Sequence, residues 1–95
     1  MSEVGKTIHQ QIKTIDPMAL FAWGAKDMVY MRDGFKFKTS GMVKKKCVVY
    51  IRYNYGQDLY EVIYGRMRKM EWIVDNTVNG VYAEDLVKTI DHYVG

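Results

Sequence analysis

Apolar positions near the start of the chain fall at helical spacing. Ile8, Ile12 and Ile15 recur at i, i+4 and i+7 between Val4 and Ile15, with Lys6, Gln10, Gln11 and Lys13 elsewhere, which predicts an amphipathic helix. Asp16-Pro17 then reads as an N-cap with proline at the first helical position, where its missing N–H costs nothing. Met18 to Trp23 follow as a short segment, apolar nearly all round, and Gly24 suits the left-handed residue that ends it. Such a segment is either deeply buried or part of a subunit contact.

From Asp27 onward the period changes from helical to alternating. Asp33-Gly34 stands between Asp27–Arg32 and Phe35–Ser40 and predicts a two-residue hairpin turn, with Ser40-Gly41 closing the second strand. Phe35, Phe37 and Thr39 share one side of that strand and Lys36, Lys38 and Ser40 the other. The run Lys44 to Asn54 sorts Cys47, Val49, Ile51 and Tyr53 from Lys46, Val48, Tyr50 and Arg52. After a turn at Tyr55–Asp58, Leu59 to Gly65 returns as a fourth strand. Arg66 to Met70 reads as a basic connection into which the hairpin could extend. Trp72, Val74 and Val78 mark a fifth strand, broken at Asn79-Gly80, and Tyr82 to Val94 is helical with Leu86, Ile90 and Tyr93 on one face. The expected fold is therefore α+β: a five-stranded antiparallel meander sheet with N-terminal helices and a C-terminal helix, in one domain spanning 1–95.

At 95 residues there is room for one core. A 48% hydrophobic, 26% charged chain with one proline is not a disordered one. No apolar run approaches the roughly 20 residues of a membrane-spanning helix, so the expectation is a soluble, intracellular protein without a membrane partner. One cysteine excludes an internal disulfide framework, and two histidines with that cysteine do not make an ordinary tetrahedral zinc site. Eight tyrosines, seven methionines and two tryptophans exceed what so small a core absorbs. Residues Leu59–Gly65 are also apolar or aromatic on both faces, Glu61 excepted. Exposed apolar surface of this kind marks association, so a homo-oligomer is expected, most simply a symmetric dimer.

The net charge of +3 is unevenly spread: eleven Lys and Arg face four Asp and Glu from Lys26 to Lys69, while one Lys faces five acids from Met70 onward. Nothing in the pattern marks an enzyme or a resident cofactor. There is no phosphate-binding GxxxxGK[ST] loop, no GxGxxG after a strand and no HExxH, and neither His9 nor His92 is paired with a nucleophile. Cys47 falls on the apolar side of its strand. The strongest chemical signal is a mixture of cations and flat rings, with Lys36, Lys38, Arg52, Arg66, Arg68 and Lys69 on or beside strands that carry Tyr50, Tyr60 and Tyr64, and with Tyr60, Tyr64 or Trp72 the candidates to lie against a base. Arginine offers a bidentate fork to phosphate and an aromatic ring stacks on a base, so a ligand with both parts would use both. Solvated sheet positions with cross-strand aromatic packing are the structural alternative.

The motifs Asp58-Leu59-Tyr60-Glu61-Val62 and Gly80-Val81-Tyr82-Ala83-Glu84-Asp85-Leu86, with the tryptophan strand between them, resemble small proteins encoded in tailed-phage and prophage genomes. That resemblance implies a viral protein acting in the host cell cytoplasm, and brings no catalytic residues with it. Within it, three functions are open. The first is an oligomeric binder that sequesters a small phosphorylated nucleotide signal of bacterial immunity. The second is a DNA- or RNA-binding accessory protein, and the third an inhibitor directed at a host enzyme.

Overall fold

The computed structural model describes residues 3–40 and 47–94. Helix α1 (Glu3–Ile15) and the four-residue α2 (Ala19–Ala22) precede five strands, β1 (Lys26–Met31), β2 (Gly34–Thr39), β3 (Cys47–Asn54), β4 (Leu59–Arg68) and β5 (Glu71–Val81). A 3-10 turn (Ala83–Asp85) leads into α3 (Leu86–Val94). The strands form one antiparallel sheet in chain order, the expected meander.

Strand alternation decides which side chains meet the helices. Phe35 and Phe37 of β2, Val49 and Ile51 of β3, and Val62 and Tyr64 of β4 are fully buried on one face. Ile8 and Ile12 of α1 and Leu86, Ile90 and Val94 of α3, each set spaced by four, close over that face. Ile15 departs from the predicted stripe: α1 ends there and its side chain is exposed. Trp23, wholly buried, stacks on Phe37 and donates its indole N–H to Asp91 of α3 at 3.2 Å, tying the short α2 segment to the last helix.

Several boundaries differ from the sequence reading. Pro17 and Met18 form a turn in which the Asp16 carboxylate accepts the Met18 N–H at 3.0 Å, so helix begins only at Ala19. α2 buries Ala19 and Leu20 but leaves Phe21 80% exposed. The first hairpin turns at Arg32-Asp33, one residue early, because Met31 pairs with Gly34. Gly34 is needed inside the strand: a β-carbon there would lie 2.1 Å from the Ile51 carbonyl oxygen and 2.9 Å from the Tyr50 ring. Moving the turn by one residue shifts the pairing by two, which leaves the faces unchanged. Arg66–Arg68 belong to β4, and only Lys69 and Met70 make the turn. Asn79 and Gly80 are held within β5, where the pairing with β4 shifts and Gly80 takes a left-handed φ of 67°. The predicted Gly41 stop and the Lys44–Lys46 start of the third strand lie outside the described residues.

Candidate ligand-binding face

Both long helices pack on one side of the sheet, so its other face carries the side chains that alternation turns outward. Two rows cross it. Lys36, Tyr50, Ile63 and Thr77 are successive cross-strand partners, and so are Lys38, Val48, Gly65 and Val74. The indole of Trp72, paired across the hairpin with Met67, lies over Gly65.

Two adjoining depressions share Lys38, Val48 and Met67. One, about 320 Å³, opens at the end of the sheet between Lys26, Ser40 and Arg66. The other, about 240 Å³, lies between Lys36, Val29 and Trp72. Three cations thus surround the first space and an indole with Lys36 walls the second. Trp72 is 38% exposed and lines the second depression.

Some of these charges are already engaged. Lys38 sits 3.4 Å from Asp27 and Arg66 lies 3.6 Å from Asp75, each cation more than half exposed. Exposed pairs of this kind contribute little, typically under about 1 kcal/mol, so an anionic ligand displaces them at small cost. Lys36, Lys26 and Arg68 have no ion-pair partner among the described residues.

Arg52 is different. Its guanidinium donates through both Nε and Nη2 to one Glu61 oxygen, and this hydrogen bonding holds the guanidinium pKa above its ordinary value. Glu61 is its direct cross-strand partner, so the pair is built into the sheet and Arg52 is committed to it. Beside it, Tyr50 leans over Gly34 and donates its hydroxyl to Asp33. Burial, then that hydrogen bond to a carboxylate, pushes the Tyr50 pKa up to about 12.

The residues expected from sequence therefore divide. Lys36, Lys38 and Trp72 come together around the two depressions from the outer face, and Arg66, which has the alternation parity of Tyr64 but lies beyond the helices, meets the first depression from the other side at the end of the sheet. Arg68 and Lys69 lie further out on the β4–β5 hairpin and are exposed. Tyr60 and Tyr64 point the other way. Tyr60 is 8% exposed and bonds to Gln11 of α1, while Tyr64 is fully buried, stacks on Tyr93 at 3.8 Å and donates to the Thr89 carbonyl of α3. They are core residues because they share alternation parity with Val62, whose face the helices cover. Lys26 and Ser40 were missed. The signal for Lys26 was its place opposite Lys38, readable only once the hairpin register is known.

His9 and Cys47 are packed into the fold, whereas His92 is exposed. His9 stacks on Phe35 at 4.9 Å and its Nδ1 lies 2.8 Å from the Tyr30 hydroxyl, and Cys47 is buried. Among the described residues no group of three or more His, Cys, Asp and Glu is placed to hold a metal ion, and no helix is long and apolar enough to cross a membrane. Compared with known proteins, the chain matches no family model, no curated protein and no solved structure.

Proposed function

We propose that the protein is a non-enzymatic binder that takes a phosphorylated nucleotide on its outer sheet face and across the adjoining end of the sheet, where Arg66 lies. The observation that carries this reading is the adjacency of the two depressions: Lys26, Lys38 and Arg66 around one, Lys36 and Trp72 beside the other, with Lys38 common to both. Phosphate oxygens would lie among the three cations, within reach of the Ser40 hydroxyl, and a base would rest on the indole. Each space is at or below the lower end of the range for small-molecule sites and is open to solvent. The proposal therefore includes a second copy of the chain, which would close the site from above.

In the phage setting suggested by the sequence resemblance, such binding withholds a nucleotide signal from bacterial immunity in the host cytoplasm. A second reading, a DNA or RNA strand crossing the end of the sheet, is favoured by Arg68 and Lys69, which lie beyond Arg66 on the exposed β4–β5 hairpin.

Thermal-shift and calorimetric titration with mono-, di- and cyclic nucleotides tests the first reading. Replacing Lys38 and Arg66 by Gln removes two charge-assisted contacts, each worth about 1.5–3 kcal/mol, and affinity should fall at least tenfold per residue. Nucleotide binding unchanged in that double variant removes the site. Retention of oligonucleotides with affinity falling steeply as salt rises moves the assignment to nucleic acid, through counterion release.

A further inference from the structure

A second cleft lies at the opposite end of β4, on the helix-covered side of the sheet, and its chemistry is the reverse of the first. Tyr53 and Tyr60 are direct cross-strand partners whose ring centroids are 5.5 Å apart and tilted by 58°. Tyr82, just after β5, forms another wall, and Asp58 and Glu84 stand at the sides of a space of about 370 Å³. Tyr60 is nearly buried and makes the floor, while Tyr82 is 57% exposed. Tyr55 meets Tyr53 edge-on at 4.7 Å and 81°, which buttresses that ring.

No Lys, Arg or His is among the described residues lining this space, and neither Asp58 nor Glu84 has an ion-pair partner among the described residues. Lys6 lines a separate groove that shares Gln11, Ala83 and Glu84 with the cleft. Both hydroxyls of the paired rings are engaged within the protein. Tyr53 donates to Asp58, and Tyr60 donates to Gln11 at 2.9 Å, so both hydroxyls are held by partners at their ring edges. Donation to a carboxylate adds electron density to the Tyr53 ring, which strengthens the negative potential over its face.

Two carboxylates repel an anion, and a plain hydrocarbon would leave them unused. Three tyrosines lining one cleft with nearby negative charge match one ligand class, an organic cation held by cation–π attraction and long-range Coulomb attraction. We propose that this cleft binds a compact organic ammonium group, quaternary by preference, because a trimethylated nitrogen presents a polarised C–H surface to several rings at once. The site stands independently of the nucleotide reading, since none of its lining residues touches the two depressions on the other face.

Titration of the full chain with choline, and separately with a short peptide carrying trimethyllysine, tests the proposal by NMR. The expected result is an upfield ring-current shift of the trimethylammonium protons at millimolar ligand or below in at least one titration, and the tighter of the two names the source of the ligand. 3,3-Dimethylbutan-1-ol, the neutral isostere of choline, should bind about tenfold more weakly, the ratio expected when a cation–π term is lost. Tyr82→Leu removes an exposed wall without touching the core. Asp58→Asn removes one charge while keeping a residue type that tolerates the left-handed φ of 56° found there. Each should weaken binding by about threefold to tenfold with far-UV circular dichroism unchanged. Equal binding of the neutral isostere, absence of the upfield shift with both cations, or full affinity in both variants overturns the proposal.

Discussion

The indole of Trp72 lies so close over Gly65 that a β-carbon added to the glycine would stand 2.8 Å from Cη2 and 2.9 Å from Cζ2 of the ring. The same atom would be 2.4 Å from the Ile73 carbonyl oxygen, which belongs to backbone and gives way poorly. Gly65 is thus what lets the Cη2–Cζ2 edge of the indole approach the backbone this closely. Gly65→Ala should destabilise the protein by on the order of 1–3 kcal/mol through overpacking, lowering the thermal midpoint by about 4–8 °C for each kcal/mol. Trp72 fluorescence should change and nucleotide affinity should fall with it. A melt and an emission spectrum matching the parent would refute this account of the pair.

The turn between β4 and β5 offers a change in the opposite direction. Arg68 pairs with Glu71, so Lys69 and Met70 alone span the turn, with φ of 50° and 67°. Two successive positive φ values are the signature of a type I′ hairpin, which favours Asn-Gly because residues with a bulky side chain are strained there. Met70 is 94% exposed and gains nothing from packing. Lys69→Asn combined with Met70→Gly should raise stability by about 1–2 kcal/mol. Urea unfolding with an unchanged slope and a higher midpoint is the expected reading.

Tyr64 belongs to the core and stands apart from the proposed site. Its hydroxyl donates to the Thr89 carbonyl at 3.2 Å while its ring fills the space under α3. Tyr64→Phe should cost about 1 kcal/mol, the ordinary worth of one hydrogen bond, and leave nucleotide binding untouched. Tyr64→Ala should cost about 3–5 kcal/mol by opening a cavity. Calorimetric titration of the Phe variant is the check. Loss of affinity there, with the melt preserved, would place Tyr64 in the site after all.

Stability should also depend on pH at both ends. Tyr50, raised from 10.0 to about 12 by burial and its bond to Asp33, binds its proton more tightly folded than unfolded. Its contribution is complete below pH 10 and is lost between pH 10 and 12 as the unfolded phenol ionises first. Burial raises the Tyr64 pKa as well, so both residues steepen the alkaline limb. His9 works in the other direction. Burial, then nearby Lys13, lowers its pKa below 6.5, so its contribution is present above that pH and fades as pH falls. Chemical unfolding from pH 5 to 12 should show both declines, with Tyr50→Phe flattening the alkaline one.

Much of the architecture was legible locally. Ile8 and Ile12, Phe35 and Phe37, and Leu86 and Ile90 each obey their own period, and all are buried. The first turn was placed one residue late because Asp33-Gly34 is a strong hairpin signal on its own. Gly34 answers instead to the backbone of β3, which stands 17 residues further along at Ile51. Such a demand leaves no local trace. The grouping of Tyr60 and Tyr64 with the cations failed for a related reason. Apolar residues on both faces of Leu59–Gly65 do not say which face a helix will cover.

Periodicity and charge order along the chain were enough to establish the α+β meander and the basic middle segment, because both follow from nearest-neighbour geometry. Only tertiary structure decided that α1 and α3 share one side of the sheet. That choice buried two tyrosines, turned Lys36, Lys38 and Trp72 outward together, and brought Lys26 beside Arg66. Strand pairing joins residues that are distant in sequence, and the free energy selecting one register over another is held in those long-range contacts rather than in any short segment.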